Sequence, residues 1–145
     1  MEIFTTGFTK KSAAEFFDNL RAAGIRRLVD VRLNNRSQLA GFTKQEDLRY
    51  FLKHICAADY RHELLLAPTP DLMDGYRNKT ISWEQFEQRF ISLLRQRQVE
   101  LVIDRQLFEL PTVLLCSEEK PDHCHRRLVA EYLSTAWGGI TITHL

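Results

Sequence analysis

The chain has 145 residues, of which 44% are hydrophobic and 27% are charged, and its 20 Lys and Arg residues nearly balance its 19 Asp and Glu residues. This length predicts one domain, because hydrophobic cores divide only beyond roughly 250–300 residues. Ordinary apolar content and a net charge of +1 exclude a mainly disordered chain and a nucleic-acid binder with a uniform cationic coat. Any affinity for phosphate must therefore come from a local cluster of basic residues.

The sequence lacks the features of a membrane or exported protein. No stretch approaches the roughly 18 consecutive apolar residues of a membrane-spanning helix, and the first residues lack the basic and apolar regions of a signal peptide. The three cysteines, Cys56, Cys116 and Cys124, form an odd set that is typical of reduced thiols rather than of a disulfide framework. We therefore expect a cytoplasmic protein without a membrane partner, whose oligomeric state these features do not determine.

The first half of the chain alternates between strand and helix patterns. Polar caps followed by apolar residues three and four positions apart indicate helices, and short alternating or β-branched runs indicate strands. Gly24 ends the first helix, because glycine is favoured just beyond a helix C-terminus. The predicted elements are a strand over 2–5, a helix over 12–23 capped by Ser12, a strand over 27–32, a polar loop over 33–42, a helix capped by Thr43, and a strand over 58–64.

The second half of the chain adds helices and one central strand. Residues 112–116 are typical of a strand buried on both faces, whereas the non-alternating segment 99–110 favours a helix over a strand. We interpret residues 76–79 as a solvated helix end, with a grip on a nucleic-acid backbone as the alternative, and Trp83 as a helix-packing residue. The predicted elements are helices capped by Thr69 and Ser82, the second over 83–98, the strand over 112–116, a helix from Pro121 to Trp137, and a strand over 140–144.

This order of elements predicts an α/β fold: a single three-layer domain over 1–145, with a mostly parallel sheet of about five strands flanked by helices. Right-handed crossovers place the carboxyl ends of parallel strands at one edge, where the ligands of such sheets bind. We therefore expect the functional residues to follow the strands directly. The candidates in the first two loops are Thr6, Gly7, Asp30, Arg32, Asn34, Arg36 and Ser37.

The densest group of reactive side chains lies over 116–127, at a predicted strand–loop–helix junction. Cys124 and His125 would lie in the first helical turn, where free backbone N–H groups and the helix dipole favour a thiolate and other anions. Cys116, at the strand tip, would face the same space. The candidates at this junction are Cys116, Glu118, Cys124, His125 and Arg126.

Three functions fit this junction. In the first, Cys116 is a nucleophile with His125 or His123 as its base. In the second, Cys116, Cys124 and one histidine bind a metal such as zinc, although paired Cys-x-x-Cys and His-x-x-His ligands are missing from the sequence. In the third, which we favour, the cleft binds an anionic group. Taken singly, the same residues are also compatible with a core cysteine, a helix cap and a solvated helix start.

The loop after the second strand supports the anion-binding hypothesis. Asp30 is flanked by valines, so its carboxylate needs a donor, and Arg32 is the natural partner. Either the two form a structural ion pair, or Arg32 or Arg36 holds a ligand's phosphate or carboxylate in bidentate fashion. Asn34 either contacts the ligand through its amide or makes a turn.

Several motifs occur in a fixed order along the whole chain. They are Thr-Thr-Gly-Phe-Thr-Lys-Lys-Ser at 5–12, Leu-Val-Asp-Val-Arg at 28–32, Gln-Leu-Ala-Gly-Phe at 38–42, Leu-Cys-Ser-Glu at 115–118 and Cys-His-Arg-Arg at 124–127. With them the sequence resembles the widespread prokaryotic family called domain of unknown function 488, and is particularly similar to the branch with a Leu-Asn-Asn loop after the Asp-Val-Arg strand. The resemblance implies a single cytoplasmic α/β domain and supplies no established reaction.

The chain departs from this family pattern in two loops. The first loop commonly reads Gly-His-Ser, whereas Phe8 stands at the histidine position here, so no role for that histidine carries over. The second loop commonly reads Pro-Arg-Ser, of which Arg36 and Ser37 remain. The residues that match the pattern at the junction are Cys116, Glu118, Cys124, His125 and Arg126, and the resemblance implies that the family's main site is retained.

Our sequence-based hypothesis is a cleft that binds or acts on an anionic, nucleotide-like or nucleic-acid-derived ligand. Cys116, Glu118 and His125 are the candidate catalytic residues, and the remaining candidates bind the ligand. No cofactor is specified, and the sequence does not decide whether the protein is an enzyme. The alternatives are a non-catalytic module that binds nucleic acid or a partner, and a small metal-binding domain using Cys116, Cys124 and His125.

Overall fold

Five parallel strands form the centre of the molecule, in a computed structural model that describes residues 1–36, 41–118 and 120–145. The strands are β1 Glu2–Gly7, β2 Arg27–Asp30, β3 Asp59–His62, β4 Thr112–Cys116 and β5 Thr141–His144. They are ordered β3-β2-β4-β1-β5, and each neighbouring pair is parallel. The predicted α/β class and the five-stranded parallel sheet are confirmed, and β4 is buried along its whole length.

Six α-helices of the described residues flank this sheet. They are α1 Ala13–Ala22, α2 Gln45–Phe51, α3 Pro70–Arg77, α4 Trp83–Arg97, α5 Val99–Val102 and α6 His125–Trp137. A π-helical turn over Leu52–Cys56 continues α2, and short 3-10 turns lie at Gly41–Thr43, Leu64–Leu66 and Arg105–Phe108. The helical preference of the segment 99–110 is therefore confirmed. Within the described ranges no helix combines the length and apolarity needed to cross a membrane.

Three of the predicted helix caps are confirmed. The side chains of Ser12, Thr69 and Ser82 each accept a hydrogen bond from a backbone N–H three residues further on, as N-cap residues do. The predicted cap at Thr43 is wrong. Lys44 is the N-cap of α2, because Thr43 belongs to the preceding 3-10 turn and its side chain is buried.

Two predicted element boundaries, the start of the last helix and the end of the second strand, also differ from the structure. The last helix begins at His125 rather than at Pro121, because the preceding residues form a turn closed by a 3.1 Å hydrogen bond from the Cys124 N–H to the Pro121 carbonyl. The second strand ends at Asp30 instead of Arg32. The Val31 N–H still donates to the Leu115 carbonyl of β4, at 3.1 Å, whereas the Arg32 N–H donates to the Asp30 carboxylate, also at 3.1 Å.

Helices cover both faces of the sheet, which gives the predicted three layers. On the α1/α2 face, Leu28 and Leu115 of the sheet pack in one apolar cluster with the residues of α1 and α2. On the α4/α6 face, Leu114 and Cys116 pack in a second cluster with α3, α4 and α6. Successive strand residues point to opposite faces. Asp30 therefore shares the α1/α2 face with Leu28, whereas Cys116 lies on the α4/α6 face.

Candidate functional site

The carboxyl ends of β1, β2 and β4 lie side by side, because β4 is placed between the other two strands. In the register of the sheet, Gly7 is opposite Cys116 and Asp30 is opposite Leu115. The three loops that carry the predicted site residues therefore leave the same edge. The alternation of side chains nevertheless directs them to two faces, and they form two separate clusters.

The first cluster consists of Cys116, Cys124 and His125, and we call it the thiol–imidazole cluster. All three side chains are buried, and one potential ligand atom of each lies within 4.8 Å of the others. The Sγ atom of Cys116 is 3.4 Å from Nδ1 of His125 and 3.7 Å from its Nε2. Cys116 ends β4, Cys124 is the N-cap of α6, and His125 is the first residue of that helix. The strand–loop–helix junction thus gathers these three residues.

The histidine of this cluster is held in one orientation. Its Nε2 lies 2.6 Å from the backbone carbonyl oxygen of Val31, and since a carbonyl only accepts, Nε2 carries the hydrogen. In the neutral ring Nδ1 is then unprotonated, and it is the ring nitrogen nearer to Cys116 Sγ, at 3.4 Å against 3.7 Å for Nε2. Phe90 contacts the ring edge-on, with ring centroids 5.5 Å apart. His125 is therefore positioned to accept a proton from Cys116.

The surroundings shift the pKa values of the Cys116 and Cys124 thiols in opposite directions. Burial raises the pKa of Cys116, but hydrogen bonds from the Cys124 thiol and the Ser117 backbone, together with the charge of Arg126, bring that pKa below its ordinary value. The pKa of Cys124 is raised well above the ordinary value, because its hydrogen bond to Cys116 and its burial both favour the protonated form. Cys116 is thus the thiol that ionises first, and Cys124 is its donor. The N-terminal end of α6 adds a positive potential that also favours a thiolate.

A cavity of about 220 Å³ adjoins the thiol–imidazole cluster. Four predicted site residues, Cys116, Glu118, Cys124 and His125, line one side of it. The opposite wall is formed by α3, α4 and the loop before α6. Its residues are Met73, Tyr76, Arg77, Trp83, Phe86 and His123.

Sequence reasoning missed the opposite wall of this cavity. The sequence predicts a solvated helix end, or a grip on a nucleic-acid backbone, for residues 76–79 and a packing role for Trp83. In the structure Tyr76, Arg77 and Trp83 all line the cavity. The indole of Trp83 stacks on the imidazole of His123, with ring centroids 5.0 Å apart. Burial, followed by the nearby Glu118 charge, raises the pKa of the Tyr76 phenol. The only sequence signal for this wall is a pair of aromatic residues, Tyr76 near the end of α3 and Trp83 at the start of α4. Ordinary helix packing gives the same pattern, so the signal does not predict a cavity.

Arg126 and Gly7 support the loop that carries the site. Arg126 is fully buried, its Nη1 donates to the Glu118 backbone carbonyl, and its Nε donates to Thr5 Oγ1 at 3.4 Å. A Cβ atom on Gly7 would lie 1.6 Å from that same Glu118 carbonyl oxygen and 2.8 Å from Nη1 of Arg126. Only glycine therefore allows the loop after β4 to lie directly against β1. Both residues shape the site through this loop.

The second cluster surrounds Asp30 on the α1/α2 face, and we call it the Asp30 network. Arg32 donates from Nε and from Nη2 to the two Asp30 carboxylate oxygens, each at 2.8 Å, and Nη2 also donates to the Thr43 carbonyl at 2.7 Å. The Tyr60 hydroxyl donates to Asp30 at 2.6 Å, and the Asn35 amide donates to the Tyr60 oxygen at 3.0 Å. Asp30 is fully buried and Arg32 is 3% exposed. The structural ion pair is therefore the arrangement observed for these two residues.

The remaining candidates of the first two loops do not line the cavity formed by the described residues. Thr6 is buried and accepts a hydrogen bond from Lys11 Nζ at 3.3 Å. The Asn34 side chain accepts from the Arg36 backbone N–H at 2.9 Å, which is the turn-forming arrangement. Arg36 is exposed, and Ser37 lies outside the described residues. The guanidinium groups of the second loop and the thiols thus lie on different faces of the sheet.

Comparisons with known proteins bear on the family of this chain. No curated protein and no solved structure matches it. One family model matches residues 12–133, a range that includes β2 to β4 and all three residues of the thiol–imidazole cluster. The chain therefore belongs to the family described as Domain of unknown function DUF488.

Proposed function

We propose that the protein binds a small anionic, nucleotide-like ligand in the cavity beside the thiol–imidazole cluster, and that Cys116 acts on this ligand as a nucleophile. The observation that carries the proposal is the 3.4 Å contact between Cys116 Sγ and Nδ1 of His125, whose Nε2 is fixed by the Val31 carbonyl. This is the sequence of nucleophile, base and orienting group that activates thiols in enzymes. His125 takes the thiol proton, and Cys124 donates a hydrogen bond to the thiolate.

The cavity wall supports a planar ligand. The rings of Phe86 and His123 stack on the Trp83 indole, with centroids 5.2 Å and 5.0 Å from it, and all three rings line the cavity. Stacking of one base on an aromatic side chain contributes about 1–3 kcal/mol. Arg77 supplies a cation for an anionic group, and Glu118 supplies an acceptor for a hydroxyl or a base edge. These side chains give the cavity both an aromatic and an ionic contact.

The size of the cavity limits what it holds. Its volume of about 220 Å³ lies below the 300–1,000 Å³ that is usual for ligand pockets. A single base or a small phosphorylated ring fits such a volume, whereas an extended nucleic-acid strand does not. A small molecule is therefore favoured over a nucleic acid as the ligand.

Alkylation of the cysteines tests this proposal. We expect iodoacetamide to modify Cys116 at a pH below the range of an ordinary thiol, whereas Cys56 serves as an internal control because burial raises its pKa. The measurement is the alkylation rate of each cysteine by peptide mass spectrometry, between about pH 5 and pH 10. Replacing the base, as His125→Gln, should move the Cys116 profile to higher pH and leave that of Cys56 unchanged.

The same assay separates the two parts of the proposal. If Cys56 reacts at every pH faster than Cys116, the nucleophile assignment is wrong. A panel of nucleobases and small phosphorylated sugars, which match the size of the cavity, should include a compound that slows the alkylation of Cys116 and not that of Cys56. Rapid alkylation that no compound of the panel slows would contradict the nucleotide-like ligand and retain the nucleophile.

A metal centre is the second candidate function, and one observation favours it. The ligand atoms of Cys116, Cys124 and His125 lie within 4.8 Å of one another, with the histidine donating its other N–H to a backbone carbonyl as metal-bound histidines do. Two thiolates and one imidazole suit zinc, with a fourth position toward the cavity. Elemental analysis of protein purified without a chelator decides this. Stoichiometric zinc supports the metal centre, and trace amounts rule it out.

A further inference from the structure

A second thiol, that of Cys124, lies beside the proposed nucleophile. It occupies a helix N-cap, where serine or asparagine would stabilise the helix more. Cys124 is the N-cap of α6 but makes no cap hydrogen bond within the described residues, unlike the Ser12 and Ser82 caps. A serine or asparagine at an N-cap stabilises a helix, because its side-chain oxygen accepts a hydrogen bond from a backbone N–H of the first turn. The Cys124 sulfur instead lies within 4.8 Å of the Cys116 sulfur, and both thiols are buried. A local rule of helix stability is thus broken in favour of a thiol pair, which is typical of functional sites.

The two sulfur atoms are close enough to form a bond. They lie within 4.8 Å of each other, and a disulfide has an S–S length of about 2.05 Å, so a shift of less than about 3 Å closes the pair. The two residues are separated along the chain only by the loop 117–123, so little chain entropy opposes their meeting.

We propose that Cys116 and Cys124 form a redox-active dithiol, in which Cys116 reduces a small hydroperoxide and Cys124 resolves the product as an intramolecular disulfide. The inference rests on the proposed nucleophilic role of Cys116 but not on the nucleotide-like ligand. Cys116 is 4% exposed at the side of a cavity of about 220 Å³. A small hydroperoxide reaches such a thiol, whereas the disulfide of another protein does not.

The reaction has two steps. In the first, the Cys116 thiolate attacks the terminal oxygen of the hydroperoxide, an S–O bond forms and the O–O bond breaks. The leaving alkoxide takes the proton held by His125, which gives an alcohol and a Cys116 sulfenic acid. In the second, the Cys124 sulfur attacks Cys116, the S–S bond forms, and the displaced hydroxide leaves as water with the Cys124 proton. Two thiols are oxidised and one peroxide is reduced.

The experiment treats the reduced protein with one equivalent of hydrogen peroxide. Of the three thiols of the chain, we expect two to be lost, with a Cys116–Cys124 disulfide in the peptide map and Cys56 still free. Dithiothreitol should restore all thiols. The control variant Cys56→Ser should behave in the same way, because Cys56 lies on the α1/α2 face.

Two further variants identify the roles of the two thiols. Cys124→Ser, which places a favoured N-cap residue before α6, should stop at a Cys116 sulfenic acid that dimedone traps, with the loss of one thiol. Cys116→Ser should lose no thiol under the same conditions. If Cys116 is alkylated rapidly but peroxide gives no disulfide with Cys124, or links Cys56 or a second chain instead, the dithiol inference is wrong while the nucleophile assignment stands. If Cys116 is not alkylated preferentially, the nucleophile assignment itself fails.

Discussion

Two polar clusters lie on opposite faces of the same sheet edge, and their buried polar groups are stabilised in different ways. In the Asp30 network, the carboxylate accepts hydrogen bonds from Arg32 and Tyr60, and the guanidinium also reaches the Thr43 carbonyl. In the thiol–imidazole cluster, the groups are two thiols, which hydrogen-bond weakly, and an imidazole held by the Val31 carbonyl, and all three adjoin a cavity. The first cluster holds full charges in matched geometry. The second holds groups whose charge depends on a proton.

The difference shows which buried polar residues serve the fold and which are suited to chemistry. A buried ion pair with all its hydrogen bonds made is costly to break and has no spare valence for a ligand. A thiol of lowered pKa that lies beside a histidine ring and a cavity is suited to react. Changes in the Asp30 network should therefore affect stability, whereas changes in the thiol–imidazole cluster should affect reactivity.

The largest effect is expected from breaking the buried ion pair. Asp30→Ala leaves the Arg32 charge buried without its partner and should lower the free energy of unfolding by about 3–5 kcal/mol. The matched control is Asp59→Ala, because Asp59 pairs with Arg27 at the surface and its side chain is 53% exposed. That change should cost about 0–1 kcal/mol. Urea unfolding measures both.

The same two variants test the separation of the faces. The Asp30 charge opposes ionisation of Cys116, so folded Asp30→Ala protein should alkylate Cys116 at least as fast as the unmodified chain. A large loss of Cys116 reactivity in folded Asp30→Ala protein would show that the two clusters act as one site. Equal costs for Asp30→Ala and Asp59→Ala would show that the network does not stabilise the fold.

A smaller effect is expected from the close approach at Gly7. A substitution there should change both the stability of the fold and the reactivity of Cys116. Gly7→Ala drives a methyl group into the Glu118 carbonyl and should cost about 1–3 kcal/mol as an overpacking change. Because the displaced loop carries the thiol–imidazole cluster, Cys116 alkylation should also slow in the folded variant. Gly41→Ala is the control, since a Cβ there meets no atom of the described chain within 4 Å. A Gly7→Ala variant with unchanged stability and alkylation would contradict the role of this contact.

The smallest effect concerns the pH dependence of stability. Burial and the neighbouring Asp30 charge raise the pKa of Tyr60, so the folded protein keeps this proton where the unfolded chain, with a pKa of about 10, releases it. Stability should therefore fall as the pH rises above about 10, with a Tyr60 contribution of up to about 1.4 kcal/mol per pH unit. Urea unfolding at several alkaline pH values should show a shallower fall for Tyr60→Phe than for the control Tyr50→Phe, whose ring is exposed. Identical slopes would show that Tyr60 titrates normally.

Much of the fold follows from local patterns in the sequence. Caps such as Ser12 and Ser82 and apolar spacing predicted the helices, and the buried run 112–116 predicted the central strand. The start of α6 was misplaced because Pro121 suits both a first helical turn and an ordinary turn, and the structure uses the second. Local preferences do not distinguish these two uses.

The site could be predicted only as far as it is local. Cys116, Cys124 and His125 fall within ten residues, so a single strand–loop–helix junction gathers them without knowledge of the rest of the fold. The partners of Arg32 come from other elements, and only the docking of α2 and β3 shows that Tyr60 and Thr43 complete the Asp30 network. The aromatic wall of the cavity likewise depends on how α3 and α4 pack against the end of β4.

The contact between Gly7 and the Glu118 carbonyl also has a consequence for the folding chain. The contact joins the first strand to the fourth, and pairings between such distant segments complete late because closing a long loop costs entropy. Until β1 aligns beside β4, the Arg126 guanidinium lacks the support of Thr5 that it has in the folded protein. In a partly unfolded polypeptide Cys116 therefore lacks the nearby charge that lowers its pKa, and this charge reaches the thiol only when the first and fourth strands have paired.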